Sequence, residues 1–412
     1  MFEGMDEAQL TGLRRVYEEA CGRGLTLNMS RGVPGVDQLA LSEGLLAAVK
    51  DSAACVTDGL DARSYGQLEG LPEARKLMGD ILDVTPDEVI LGGVSSLNLM
   101  YDMMARAMSH GVTQGSEPWG RQGTVKFICP APGYDRHFAL CRYFGLEMLP
   151  VPMRADGPDM DAVAALVRDP AVKGMWCVPK YSNPTGTVYS DETVRRVAGL
   201  TPAAPDFRVF WDNAYAVHDL YDEVKLLSVA RAARAAGHPE LVIQFASTAK
   251  ITFPGGGISA VSAGPETLAA IRASLFFQTI CYDKLNQLRH VRFLKDLDGV
   301  KAHMRRHAAL LRPKFEAVDE ILTRELSGLA SWTAPRGGYF ISLDVVPGTA
   351  KRTVELMKRA GVLMTGAGAT WPDGRDPEDK NIRIAPTFPP VEELKTAMGL
   401  LCVCAKLAAA EV

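Results

Sequence analysis

Five apolar, largely β-branched runs, Glu88 to Leu91, Val125 to Cys129, Gly174 to Val178, Val209 to Trp211 and Leu241 to Ala246, recur along the chain with helical patterns between them. That alternation predicts an α/β fold, a mostly parallel sheet with helices on both faces. Each run ends in a cluster of turn residues: Gly92-Gly93, Pro130 to Gly133, Asn183 to Gly186, Asp212-Asn213 and Ser247-Thr248. Ligands bind such sheets at the carboxyl ends of the strands, so these clusters are expected to converge in one crevice. Beyond Val300 the pattern changes. A charged helical stretch from Lys301 to Leu326 precedes Gly337 to Leu343, a helix near Thr353 to Ala360, and Asn381 to Ala385. Strands in this block should pair with each other, which predicts a smaller α+β domain. Residues 1–50 are expected to fold back onto 295–412 to complete it, leaving 51–294 as the large domain.

Composition narrows the partners. The 412 residues are 47% hydrophobic, enough for a large core and for two or three domains by length alone. A net charge of −4 without a basic stripe gives no reason to expect nucleic acid or an anionic membrane as partner, so small molecules are the expected ligands. The eight cysteines include no C-x-x-C and sit mostly in apolar runs. They read as reduced core residues of a cytoplasmic protein rather than a disulfide frame or metal cage. The acidic opening, Met1 to Glu7, lacks the basic region of a signal peptide, and no uncharged segment reaches the ~20 residues of a membrane span. The first 60 residues have room for one or two helices and no basic face, so no DNA-reading helix-turn-helix is expected there.

The strand-end clusters carry chemistry of different kinds. Gly92-Gly93-Val94-Ser95-Ser96 closes a strand and opens a helix, where amides, hydroxyls and the positive end of the helix dipole would face an anion such as phosphate. Taken alone, a glycine turn with a serine helix cap is the commoner meaning. Tyr134, after Pro130-Ala131-Pro132-Gly133, could stack on a flat cofactor or merely pack. Asn183-Pro184-Thr185-Gly186 is a good turn for local reasons alone. Asp212 emerges from a hydrophobic strand with no local cation, and Tyr215 follows three residues later; such a carboxylate needs a partner, for which a protonated pyridine nitrogen is suited. Lys250 lies between an apolar strand and Gly255-Gly256-Gly257. A surface lysine is the ordinary meaning, but partial burial there would lower the amine's pKa enough for imine formation.

In this order the elements resemble the fold-type I enzymes dependent on pyridoxal 5′-phosphate (PLP), the aspartate aminotransferase superfamily. The resemblance runs from Leu27 to Pro34, through Ser64 to Gly70, to Asn381-Ile382-Arg383-Ile384. The wording Gly-Gln-Leu-Glu-Gly, Ser-Ser-Leu-Asn-Leu-Met-Tyr-Asp, Lys-Ile-Thr-Phe and Asp-Lys-Leu-Asn-Gln-Leu-Arg-His is similar to bacterial class Ic aspartate aminotransferases, relatives of the MocR-type regulators' catalytic domain. The resemblance implies that 51–294 is a PLP-binding domain and that Lys250 carries the cofactor and shuttles the proton at the substrate Cα. It implies that Asp212 pairs with the pyridine nitrogen, backed by His137, and that Asn183 and Tyr215 donate to the ring oxygen. Tyr134 would stack on the ring, and Ser95, Ser96 and Ser247 would hold the phosphate. Tyr65 would reach the phosphate of a neighbouring subunit, giving a homodimer with shared sites. Arg383, with Gly32 close by, would clamp the substrate α-carboxylate. Lys284 is the candidate reader of a side-chain carboxylate, with Arg289 and Arg31 behind it, and any of the three could instead form a structural ion pair.

The sequence departs from the family at one position: where an arginine usually holds the phosphate, eight residues after the lysine, stands Ile258. The expected reaction is amino-group exchange between aspartate and 2-oxoglutarate. Transamination of aromatic or aminoadipate-type substrates, a PLP-dependent lyase, and a non-catalytic MocR-like sensor are the alternatives, the last disfavoured by the missing DNA-reading module.

Overall fold

The computed structural model describes residues 6–412, so Met1 to Met5 of the acidic opening lie outside the described residues. Eight strands form its principal sheet: β1 (Val89–Gly92), β2 (Lys126–Ala131), β3 (Glu147–Arg154), β4 (Gly157–Pro158), β5 (Val172–Cys177), β6 (Arg208–Asp212), β7 (Val242–Ser247) and β8 (Ser259–Ser262). Their order is β1-β8-β7-β6-β5-β2-β3-β4. The β7, β6, β5, β2 and β3 strands run parallel, and β8 is inserted antiparallel to both β7 and β1. All five strand-like runs of the sequence are strands here. Every residue of β1, β5 and β6 is buried, which is why these strands read as continuous apolar runs rather than alternating ones.

Two further strands of this sheet were not legible. In β3 (EMLPVPMR), Pro150 and Pro152 remove ladder donors and hide a strand near the sheet edge. The four-residue β8 is built of small residues immediately after a glycine loop, so the antiparallel insertion leaves no apolar run to notice.

The carboxy-terminal block forms its own antiparallel sheet, Ser331–Trp332, Ile341–Asp344 and Asn381–Ile384. Leu27–Asn28 pairs in parallel with Val362–Leu363, and the Tyr17 hydroxyl donates to Leu356 O at 3.1 Å, so the amino-terminal segment is built onto this block. A 30-residue helix, Leu297–Leu326, capped by Asp296 through Gly299 N (2.8 Å), runs beneath. Its Lys314 reaches Thr387 O at 2.9 Å. No helix among the described residues is long and apolar enough to cross a membrane. All eight cysteines are free thiols, six of them buried.

Candidate active site

The carboxyl ends of β1, β2, β5, β6 and β7 lie at one region, and each delivers a side chain there. Ser95 and Ser96 follow β1, and Ser95 caps the helix Ser96–His110. Tyr134 and His137 follow β2, Asn183 follows β5, Asp212 closes β6 with Tyr215 after it, and Ser247 closes β7 ahead of Lys250. Gly257 shows how tightly the first and last of these turns meet: a Cβ there would lie 2.8 Å from Val94 O and 2.9 Å from the Ala249 main chain. Only glycine lets the serine-bearing turn of β1 approach the lysine-bearing turn of β7.

At the centre, Asp212 is 2% exposed. Its Oδ2 lies 3.1 Å from His137 Nε2, and the His137 ring stacks on Trp176 with centroids 4.2 Å apart and planes 9° from parallel. Its Oδ1 is buried with no hydrogen-bond partner among the described residues. A bare buried carboxylate oxygen costs free energy unless a donor meets it, so this atom marks a place where a ligand N–H would be received. Tyr134 meets His137 edge-on at 4.9 Å, and its hydroxyl is pushed up to about 12 by burial and then by the Asp212 charge. Lys250 Nζ sits 4.9 Å from the centroid of the Tyr215 ring. Burial lowers the amine's pKa, opposed by the Asp212 carboxylate, while burial raises the Tyr215 phenol. An amine of reduced proton affinity beside an acidic anchor can act both as nucleophile and as proton carrier.

Arg383, on Asn381–Ile384, forms the other wall. It donates to Asp135 (3.0 Å), Asn183 Oδ1 (3.2 Å) and Thr365 Oγ1 (3.0 Å), and its guanidinium lies 4.7 Å over the Phe340 ring. Its Nε is buried without a partner. Gly32 abuts Phe340 as well, since a Cβ there would fall 2.3 Å from the ring. Arg383, Asn183 and Gly32 are thus brought together, and Asp135, Thr365, Phe340 and Trp176 were missed. None of these four carries a local signal, because each matters only through a contact made in three dimensions.

Lys284 requires a correction. Its ammonium is buried and donates to Ser64 O (2.7 Å) and Gly66 O (2.8 Å), the carbonyls on either side of Tyr65. Two of its three donors are committed to the backbone, so it braces the loop that presents Tyr65 rather than offering a free cation to a substrate carboxylate. Tyr65 itself is 81% exposed and stands apart from the cluster around Asp212. Of the other two candidates, Arg31 is exposed and Arg289 is half-buried with an unpartnered Nε.

Residues 5–412 match the family model described as aspartate amino-transferase. The chain belongs to that family. This aminotransferase is 47% identical over 402 residues to an aspartate aminotransferase of Corynebacterium glutamicum, covering 97% of this chain and 93% of that one. It is 50% identical over 404 residues to a putative aminotransferase of Mycolicibacterium smegmatis, with 97% and 94% covered. A crystal structure of an aspartate transaminase from C. glutamicum superposes with a TM-score of 0.95 at 46% identity, over 99% of this chain and 98% of that one. The α-aminoadipate aminotransferase LysN of Thermus thermophilus, complexed with N-(5′-phosphopyridoxyl)-L-leucine, shares the fold at TM-score 0.78 and 21% identity, over 96% of each chain.

In this aminotransferase Ile258 is 2% exposed. Its side chain joins Leu91, Ile251 and Ala260 in an apolar cluster, and its backbone pairs with Thr248 through Thr248 N to Ile258 O (2.8 Å) and Ile258 N to Thr248 Oγ1 (2.9 Å). The position is part of the support beneath the lysine turn and offers no cation to a phosphate.

Proposed function

We propose that this aminotransferase exchanges the amino group of aspartate with 2-oxoglutarate, using PLP held on Lys250. The observation that carries the cofactor assignment is the unpartnered Oδ1 of Asp212, buried in the cluster with Lys250 while Oδ2 is held by His137. A pyridinium N–H would meet this bare oxygen, and an ion pair there would suit a site from which water is excluded. PLP bound there supplies an electron sink for the pair left at the substrate Cα. Lys250 takes the Cα proton and returns it, a task suited to an amine whose affinity for protons burial has reduced. Asn183 and Tyr215 would orient the ring from the side of its oxygen, and Tyr134 would cover its face. Ser95, Ser96 and Ser247, with the amino end of helix Ser96–His110, would receive the phosphate without an arginine at position 258.

Arg383 would take the α-carboxylate in its fork, replacing its contacts to Asp135 and Asn183, with Gly32 and Phe340 fixing the plane of the guanidinium. The assignment of aspartate is supported by the 47% identical relative of that name. A homodimer is supported by the braced, exposed Tyr65 and by the exposed Phe276, Phe277 and Ile280. The reduced, buried thiols are consistent with the cytoplasm.

The test is a panel of amino donors. The purified enzyme should absorb at long wavelength, change spectrum on adding aspartate, and turn over aspartate with 2-oxoglutarate faster than aromatic, aminoadipate or sulfur-containing donors. A spectrum that responds without turnover would indicate a sensor, and a better donor than aspartate would replace the substrate assignment.

A further inference from the structure

Behind Lys250 lies a buried hydrogen-bond relay whose direction the backbone dictates. The Gly35 N–H can only donate, and it donates to Gln38 Oε1 at 3.1 Å. The Gln38 NH2 group therefore faces His307 Nδ1 (3.0 Å) and Tyr339 Oη (3.2 Å) as a donor to both. With its oxygen accepting from Gln38, the Tyr339 hydroxyl sends its own hydrogen to the main-chain carbonyl of Lys250 at 3.2 Å. The His307 proton then sits on Nε2, facing His303 Nε2 at 3.1 Å, and the directed part of the relay ends there. Gln38, His307 and Tyr339 are fully buried, so no bulk water competes for these bonds. The relay starts three residues from Gly32, whose contact with Phe340 sets the floor of Arg383, and Phe340 follows Tyr339 in the chain.

We propose that Gln38 is a positioning residue for Lys250, acting through the Tyr339 hydroxyl on the lysine's own carbonyl and thereby joining the segment at the carboxylate clamp to the reactive amine. This rests on Lys250 being the cofactor lysine. The groups that face the amine directly, Asp212, Tyr215 and His218, set its chemistry, and the relay sets where it is held.

The experiment uses the PLP-loaded enzyme and the variants Gln38→Glu, Tyr339→Phe and the double variant. Gln38→Glu turns the donor into an acceptor and draws the Tyr339 hydrogen away from Lys250; Tyr339→Phe deletes the link while keeping the ring, and so remains informative if Gln38→Glu does not fold. Each should lower kcat about fivefold, the factor of one net hydrogen bond, with KM for the amino donor within about twofold. Each should also move the pH midpoint of the long-wavelength absorbance, and the double variant should be no worse than the poorer single one. Unchanged midpoints and kcat in the single variants, or additive losses in the double variant, would overturn the relay. A Lys250→Ala variant that keeps the pH-dependent long-wavelength absorbance of the wild type would overturn the lysine assignment itself, and the relay's role with it.

Discussion

Replacing Lys284 with methionine separates two roles that a single buried cation could play. Methionine keeps the length and apolar stem of the side chain and removes only the ammonium, which donates to Ser64 O at 2.7 Å and Gly66 O at 2.8 Å. A charge-assisted hydrogen bond contributes about 1.5–3 kcal/mol, and an acceptor stripped of its donor while buried costs about 1–3 kcal/mol. Ser64 and Tyr65 are exposed and Gly66 is half-buried, so the stripped carbonyls turn to water and a loss of about 2–3 kcal/mol, from the charge-assisted bonding alone, is expected. In a urea titration this appears as an earlier midpoint at constant slope. Because Tyr65 would be less well presented, retention of PLP on dilution should also fall. The decisive quantity is the ratio of kcat/KM for aspartate to that for an uncharged donor such as alanine. A brace leaves the ratio within about twofold, since both substrates lose the same support. A cation reading the distal carboxylate would drop it by about tenfold to a hundredfold, the kinetic equivalent of one charge-assisted bond. A tenfold fall in the ratio with an unmoved urea midpoint would refute the brace and restore Lys284 as the specificity residue.

Three further outcomes are expected. Asp212→Ala should lower kcat by about 10²–10³-fold while the fold persists, measured in single-turnover assays; an unaltered rate would remove the carboxylate from the chemistry. Gly32→Ala places a methyl 2.3 Å from the Phe340 ring and should displace the floor under Arg383, raising KM for amino donor and oxo acid alike, and a wild-type KM for both would show that the clamp does not need that floor. Burial lowers His307 to about 3 and His290 to about 4, against an ordinary value near 6.5. Between those values the unfolded chain binds protons that the folded one refuses. Stability is therefore complete above pH ~6.5 and falls as the pH drops toward 4, by up to about 1.4 kcal/mol per pH unit for each histidine. Urea midpoints at pH 7, 6 and 5 should fall in that order, less steeply in His307→Gln; equal midpoints would contradict buried neutral imidazoles.

What the sequence discloses depends on the range over which a residue's role is decided. The strands show because burial on both faces writes short, mostly apolar runs into consecutive positions, and the turn residues at their ends show because φ/ψ preferences act locally. Asp212 and Lys250 were legible for the same reason, as charged residues emerging from an apolar run with no neighbour to neutralise them. The backbone contacts of Lys284 were not legible because the criterion that singled it out, a basic residue at a suggestive spacing, says nothing about two carbonyls 220 and 218 positions away. Backbone carbonyls occur at every residue and carry no sequence signature, so any side chain whose partner is main chain is invisible until the fold is known. Gln38 is the sharper case. It reads as an unremarkable polar residue in a five-residue helix, Val36–Ala40, yet its amide is fixed at one end by Gly35 N and spends the other on groups 269 and 301 positions distant. The residues most exposed to this blindness are those that support a reactive group through its backbone, and in this aminotransferase they surround Lys250: Tyr339 and His218 at its carbonyl, His303 at the next, and Thr248 beneath the turn.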